Sequence, residues 1–123
     1  MENSTKLKKI RLNGVHIDIA KKLSKSLELK IECKAKIGLP QNVENITSIA
    51  LEVELSVMTN KNDELKIILL ADTIFDLEYV PDDYNEIVAQ QCVPIAKKEL
   101  FIILDKLLVN MGYKKLDLAE QTD

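Results

Sequence analysis

The alternation between Ile49 and Leu77 constrains the fold of this 123-residue chain more than any other feature. Ile49, Leu51, Val53, Leu55 and Val57 are apolar, with Glu52, Glu54 and Ser56 between them. A strand turns successive side chains to opposite faces, so a period of two writes one dry face and one wet face. The polar run Thr59-Asn60-Lys61-Asn62-Asp63-Glu64 interrupts the pattern, and Leu65, Ile67, Leu69, Ala71, Phe75 and Leu77 resume it. Two long strands joined by a short polar loop predict an antiparallel hairpin. The second strand also carries Ile68, Leu70 and Ile74 on its other face, among Lys66, Asp72 and Asp76. Leaving such a side chain in water forgoes about 1.5–3 kcal/mol. That face therefore calls for cover, from another subunit or from a ligand.

The rest of the chain frames this hairpin. A first strand is expected over about 7–20, but its phase changes. Ile10 and Leu12 are apolar at even positions, and Val15, Ile17 and Ile19 at odd ones, with Asn13-Gly14 at the switch. A two-residue hairpin turn and a bulge in one long strand both flip the phase, and the sequence leaves the two open. A second strand over about 23–39 sets Leu27, Leu29, Ile31, Cys33, Ala35 and Ile37 against Glu28, Lys30, Glu32, Lys34 and Lys36, as in a sheet wet on one side. Gly38 to Asn42 ends it, and the central strands follow over about 46–58 and 64–79.

Pro81-Asp82-Asp83 signals a helix start, and Asp83 with Glu86 has capping-box spacing. A helix over about 83–111 is expected, broken or kinked near Pro94 or begun afresh there. Leu100, Leu104, Leu107, Leu108 and Met111 make one stripe, and Phe101, Ile102, Ile103 and Val109 carry the apolar surface most of the way round. A helix of that kind is buried on more than one side. The sheet covers one side, so Phe101, Ile102 and Ile103 are expected at an oligomer interface or in the core, with self-association the economical answer for the surplus. Gly112 reads as a left-handed residue just past the helix, with the tail to Leu118 docking beyond it. The expectation is a single domain over 1–123 of class α+β, a four-stranded antiparallel sheet packed with a long C-terminal helix.

Composition removes several functions. A charged fraction of 30% and a net charge of -3 argue against an electrostatic nucleic-acid binder. The cluster Lys6, Lys8, Lys9 and Arg11 reads as a solvated strand edge that discourages edge-to-edge pairing, not as a nucleic-acid arm. No apolar run approaches the roughly 20 residues of a membrane span, and the amino terminus has no apolar leader segment, so a cytoplasmic protein without membrane insertion is expected. Cys33 and Cys92 fit a reducing compartment, and a disulfide between them is disfavoured. His16, the one histidine, has no cysteine or second histidine near it and is not expected to bind metal. No recognised motif surrounds a cysteine or serine, and three glycines make no phosphate-cradling loop. Asp72, Asp76, Asp82 and Asp83 lack calcium-loop spacing and read as a solvated strand end and a helix cap. Four per cent aromatics leave little for base stacking. The chain is expected not to be an enzyme and to use no metal or cofactor.

Val93-Pro94-Ile95-Ala96-Lys97 opens the long helix, Ile74-Phe75 lies in the fourth strand, and Met111-Gly112 is followed by Leu116-Asp117-Leu118. The order and spacing of these pieces, over most of residues 7–118, resembles the SecB family of export chaperones. That family opens its long helix on aromatic-Pro-Tyr-Ala-Arg and closes it with Arg-Gly and a Leu-Asn-Leu continuation. The resemblance implies an ATP-independent holdase that binds non-native polypeptides in apolar grooves, with unfolded preproteins or an antitoxin as partners. It also implies a homo-oligomer, a dimer of dimers with the long helices sandwiched at the tetramer interface. Three departures stand out. The chain stops soon after Leu118, where the family continues into a second helix and an acidic tail that contacts SecA. Asp18-Ile19-Ala20 stands in place of a Ser-Phe-Glu-x-Pro-type segment, and Ile68 or a neighbour stands at the acidic position that serves SecA. These weigh against SecA-linked protein export and towards guarding an antitoxin, or a phage-borne role.

On this reading Ile68, Leu70 and Ile74 floor the polypeptide-binding groove and Met58 adds an adaptable wall. An ordinary subunit interface at the same side chains stays open. An extended client could also add main-chain hydrogen bonds along a sheet edge. The competing class is a self-assembling structural or adaptor protein with one cognate partner and no general chaperone activity.

Overall fold

A computed structural model of the protein describes residues 5–21, 28–38, 48–59, 64–78, 82–114 and 116–118. Strands β1 (Thr5–Ile19), β2 (Leu29–Ile37), β3 (Ser48–Thr59) and β4 (Leu65–Leu77) precede a helical stretch. That stretch comprises α1 (Tyr84–Ile87), a π-helical turn (Val88–Cys92) and α2 (Val93–Asn110). The strands form one four-stranded antiparallel sheet in the order β1-β4-β3-β2. Three consecutive strands form a meander and the first returns beside the last, a Greek-key arrangement. The parts of the expected second strand at 23–27, of the polar loop at 60–63 and of the helix start at Pro81 lie outside the described residues.

The period of two does what it predicts. Ile49, Leu51, Val53, Leu55 and Val57 of β3, with Leu65, Ile67, Leu69, Ala71 and Phe75 of β4, point to one face and are at most 3% exposed. Thr73, the polar member of the row, donates its hydroxyl to the Leu51 carbonyl at 3.1 Å, so its burial leaves nothing unpaired. Thr59 closes the hairpin, its hydroxyl oxygen accepting from the amides of Glu64 (3.0 Å) and Leu65 (3.3 Å).

Asn13-Gly14 is a bulge, not a turn. β1 runs on through it, and the pairing with β4 slips between Leu12 and Gly14 and again between Leu7 and Lys9. Each slip moves the apolar set to the other parity, so Leu7, Ile10, Leu12, Val15 and Ile17 all share the inner face. Neither residue of the pair has positive φ. Gly14 supplies space instead: a Cβ there would lie 3.2 Å from Leu70 Cδ1.

Asp83 caps α1, its carboxylate accepting from the amides of Asn85 (3.0 Å) and Glu86 (3.4 Å). The chain does not break at Pro94; α2 opens at Val93 with Pro94 in its first turn, the fresh start the sequence had left open. Proline has no N–H to give, and its ring crowds the carbonyl four residues back. The turn before it widens, Val93 donating to the Val88 carbonyl, and the helix carries on through Pro94. The buried stripe is Val88, Cys92, Ala96, Leu100, Leu104 and Leu108, a step of four throughout. Four residues overshoot an α-helical turn by about 40°, so the stripe winds around α2. By Leu108 it has turned far enough to include Phe101, which is 0% exposed.

Gly112 adopts φ 92, and Tyr113 donates back to the Leu108 carbonyl at 2.8 Å, closing the helix in the expected left-handed way. The tail then folds back. Asp105 Oδ1 accepts from the amides of Leu116 (2.8 Å) and Asp117 (3.3 Å), and Leu118 is buried in the core.

Candidate functional site

The sheet has a helix on its inner face alone among the described elements, so its outer face shows what the chain offers to partners. Strand register fixes the neighbours there. Ile68 lies between Ser56 and His16, Leu70 between Glu54 and Gly14, and Ile74 between Ala50 and Lys9. Met58 faces Lys66 and so sits diagonal to Ile68. Met58, Ile68 and Leu70 therefore form one short apolar row. Ile74 is cut off from it by Asp72, whose carboxylate meets the Arg11 guanidinium at 3.4 Å. Leu70 is 43% exposed, while Met58, Ile68 and Ile74 are half-buried by their neighbours.

A shallow hollow of about 490 Å³ opens beside Leu70, with Asn13, Lys34, Glu52, Glu54 and Asp72 among its lining. Its lining mixes charged side chains with Leu70, Ala35, Val53 and Ala71. The row is a strip on a flat sheet. It can hold an apolar side chain against Leu70 and Ile68 while flanking charges meet polar groups of the same segment.

The helix gives a second surface. Phe101, expected at an interface or in the core, is a core residue, because the winding stripe carries it inward. Ile102 is 36% exposed and Ile103 half-buried. Val109, one heptad beyond Ile102, is 55% exposed, so Ile102 and Val109 lie on one outward line of α2. The periodicity had shown Val109 as part of the apolar surround without separating it from the core.

A third surface is the inner face of β1, which the helix covers only in part. Val15 is 49% exposed there, and Ile10, Leu12 and Ile17 are half-buried. The Thr5 hydroxyl donates to the Gln91 side-chain carbonyl and pins the start of β1 under the π turn.

His16 sits on the wet face opposite Ile68, its Nε2 3.7 Å from the Asp18 carboxylate. Both cysteines are free thiols. Burial pushes the Cys92 thiol up from 9.0 to about 11. Burial also raises Cys33, partly offset by the Lys97 ammonium. Buried, protonated thiols are poor nucleophiles. Among the described residues no group of three or more His, Cys, Asp or Glu side chains converges to hold a metal. No helix among them is long and apolar enough to cross a membrane.

No family model matches the sequence, and no curated protein matches it either. The fold does have a counterpart. A SecB-like chaperone of Mycobacterium tuberculosis, Rv1957, solved in complex with a ChAD peptide from the Rv1956 HigA1 antitoxin, is similar to this chain at a TM-score of 0.72. The two are 11% identical, and the match covers 91% of this chain and 86% of that one. The likeness establishes a SecB-like fold.

Proposed function

We propose that this chain is an ATP-independent holdase of SecB-like type, acting in the cytoplasm as a single domain and keeping non-native segments from aggregating. Control of an antitoxin is the favoured task, and protein export the second. The observation that carries the reading is the shared fold with a chaperone holding an antitoxin peptide, over nine-tenths of the chain. The exposed apolar side chains add to it, since a monomeric soluble protein rarely leaves such groups uncovered in line.

The client strip consists of Met58, Ile68 and Leu70, with Ile74 as a separate contact beyond Asp72. Flexible Met58 and branched Ile68 and Leu70 offer apolar contact without a fixed shape, which suits many clients. Ile102 and Val109, with Ile103 beside them, are the contact through which α2 pairs with a second copy, and a dimer of dimers is the assembly we infer.

Aggregation of a chemically unfolded, unrelated client is measured by light scattering at several-fold excess of this protein, without nucleotide. Suppression is expected. No suppression would sink the holdase and favour a self-assembling adaptor with one cognate partner. Leu70→Asp is expected to weaken suppression with the oligomer intact, and Ile102→Asp to shift the oligomer towards smaller species in analytical ultracentrifugation. The reverse assignment would exchange strip and interface.

A further inference from the structure

The helical stretch joins two unlike parts. α2 buries Ala96, Leu100, Phe101, Leu104 and Leu108, whereas α1 buries no residue. The π turn lies between them, and Pro94 stands just past it in the first turn of α2. Proline has no amide hydrogen, so the ordinary helical bond from position 94 back to the Gln90 carbonyl is missing. Val93 donates to the Val88 carbonyl across the wider turn. Prolines and π turns are the places where helices bend. The junction therefore has one main-chain bond fewer than a turn inside α2.

The segment ahead of that junction holds its own shape. Asp83 accepts from the amides of Asn85 and Glu86, and Gln90 donates to the Glu86 carboxylate at 3.4 Å. Its hold on the sheet is slight by comparison. Val88 and Cys92 are its buried side chains, at 7% and 0% exposure, and Tyr84 and Ile87 pack half-buried at the margin of the core. The Thr5 hydroxyl donates to the Gln91 side chain. Thr5 pairs with Leu77 at the end of the sheet, so the π turn lies over that end of the inner row. Segments with few buried side chains open at a lower free energy than the whole fold.

We propose that residues 82–92 form an arm that lifts from the sheet as a unit, hinged at Pro94, while α2 stays seated. Lifting breaks the Thr5–Gln91 bond, draws Val88 and Cys92 out of the core and bares the apolar end of the sheet at Leu77. The rest of the core stays covered, because the buried residues from Ala96 to Leu108 lie beyond the hinge. The open form therefore has an apolar opening at one end of the inner face and a thiol that the closed form hides. Cys92 is fully covered when the arm is down, so access to its sulfur reports the motion. The device rests on neither the outer-face strip nor the holdase reading.

In the full chain, Cys33→Ser leaves Cys92 as the one thiol. Its labelling by a chromogenic aromatic disulfide is followed in urea below the unfolding transition. The rate is expected to change little with urea, because lifting the arm exposes far less surface than unfolding does. Thr5→Val in that background removes the hydroxyl that ties the arm down and should quicken labelling about fivefold. Thr59→Val, the same change at the β3–β4 hairpin, should leave the rate unaltered, and circular dichroism checks that each variant is folded. Hydrogen exchange on the unsubstituted chain needs no variant. There the amides of 84–92 should exchange together and faster than those from Ala96 to Leu108. Three results overturn the proposal: labelling with the full urea slope of global unfolding, equal labelling with and without the Thr5 hydroxyl, or exchange of the arm and α2 as one block.

Discussion

β3 and β1 are both long strands of one sheet, yet they obey different rules. β3 alternates without a fault from Ser48 to Thr59 and is paired on both sides. β1 slips twice over fifteen residues and is paired on one side among the described strands. A central strand that lost register would break two ladders and expose its whole apolar row. An edge strand can absorb an extra residue at the cost of one ladder, and the bulges let Leu7, Ile10 and Val15 all reach the inner face despite their spacing. Centre and edge also divide the labour. β3 and β4 supply the buried core, and β1 supplies charge.

The comparison breaks most severely at the centre. Leu55 is fully buried, and Leu55→Ala should cost about 3–5 kcal/mol in urea unfolding. Deleting Asn13 tests the edge. Without the bulge, one half of β1 must turn its apolar residues outward or detach, a loss on the order of 2–3 kcal/mol with faster hydrogen exchange confined to β1. A loss as large as that of Leu55→Ala would mean that β1 is no more tolerant than β3.

A smaller effect comes from the helix that covers the centre. The unfolded chain ionises its thiols from about pH 9 upward, while burial holds Cys92 neutral to about 11. Its contribution is therefore complete below pH 9 and is lost as pH rises from 9 to 11. Over that window the wild type should lose about 1–2 kcal/mol more than Cys92→Ala in matched denaturation series. Equal slopes would show that Cys92 titrates as it does in water. Smallest of all is Gly14→Ala. The added methyl meets the movable end of an exposed leucine at 3.2 Å, while alanine relieves the glycine's entropy cost. The net should lie within about 0.5 kcal/mol of zero, and a cost above about 2 would show that Leu70 is held in place.

Features set by neighbours in sequence were legible before the structure. The β3–β4 alternation, the Asp83 cap and the left-handed Gly112 each depend on a few adjacent residues and each forms, although Glu86 accepts from Gln90 instead of closing the capping box on Asp83. Asn13-Gly14 was not decidable, because a turn and a bulge flip the phase identically and the difference lies in which strand β1 meets. Phe101 was left between interface and core for a related reason. A stripe stepping by four winds around the helix, so a residue off the stripe at one end lies on it at the other. The surplus of apolar residues on β4 was plain, but register decides which of them touch. Asp72 and Arg11 separate Ile74 from Leu70, and that division follows from a partner sixty-one positions away.

Asp105 grips the returning tail by its main-chain amides, and every residue but proline has one to offer. The clasp itself reads no side chain, but Asp117 sits at φ 56, a left-handed position that Asp, Asn and Gly take most readily. A β-branched residue at 117 would strain the turn that seats Leu118, while position 116 is held by its amide and by its packing on the core. The return of the chain therefore hangs on one acid of the last helix and one permissive residue beyond it.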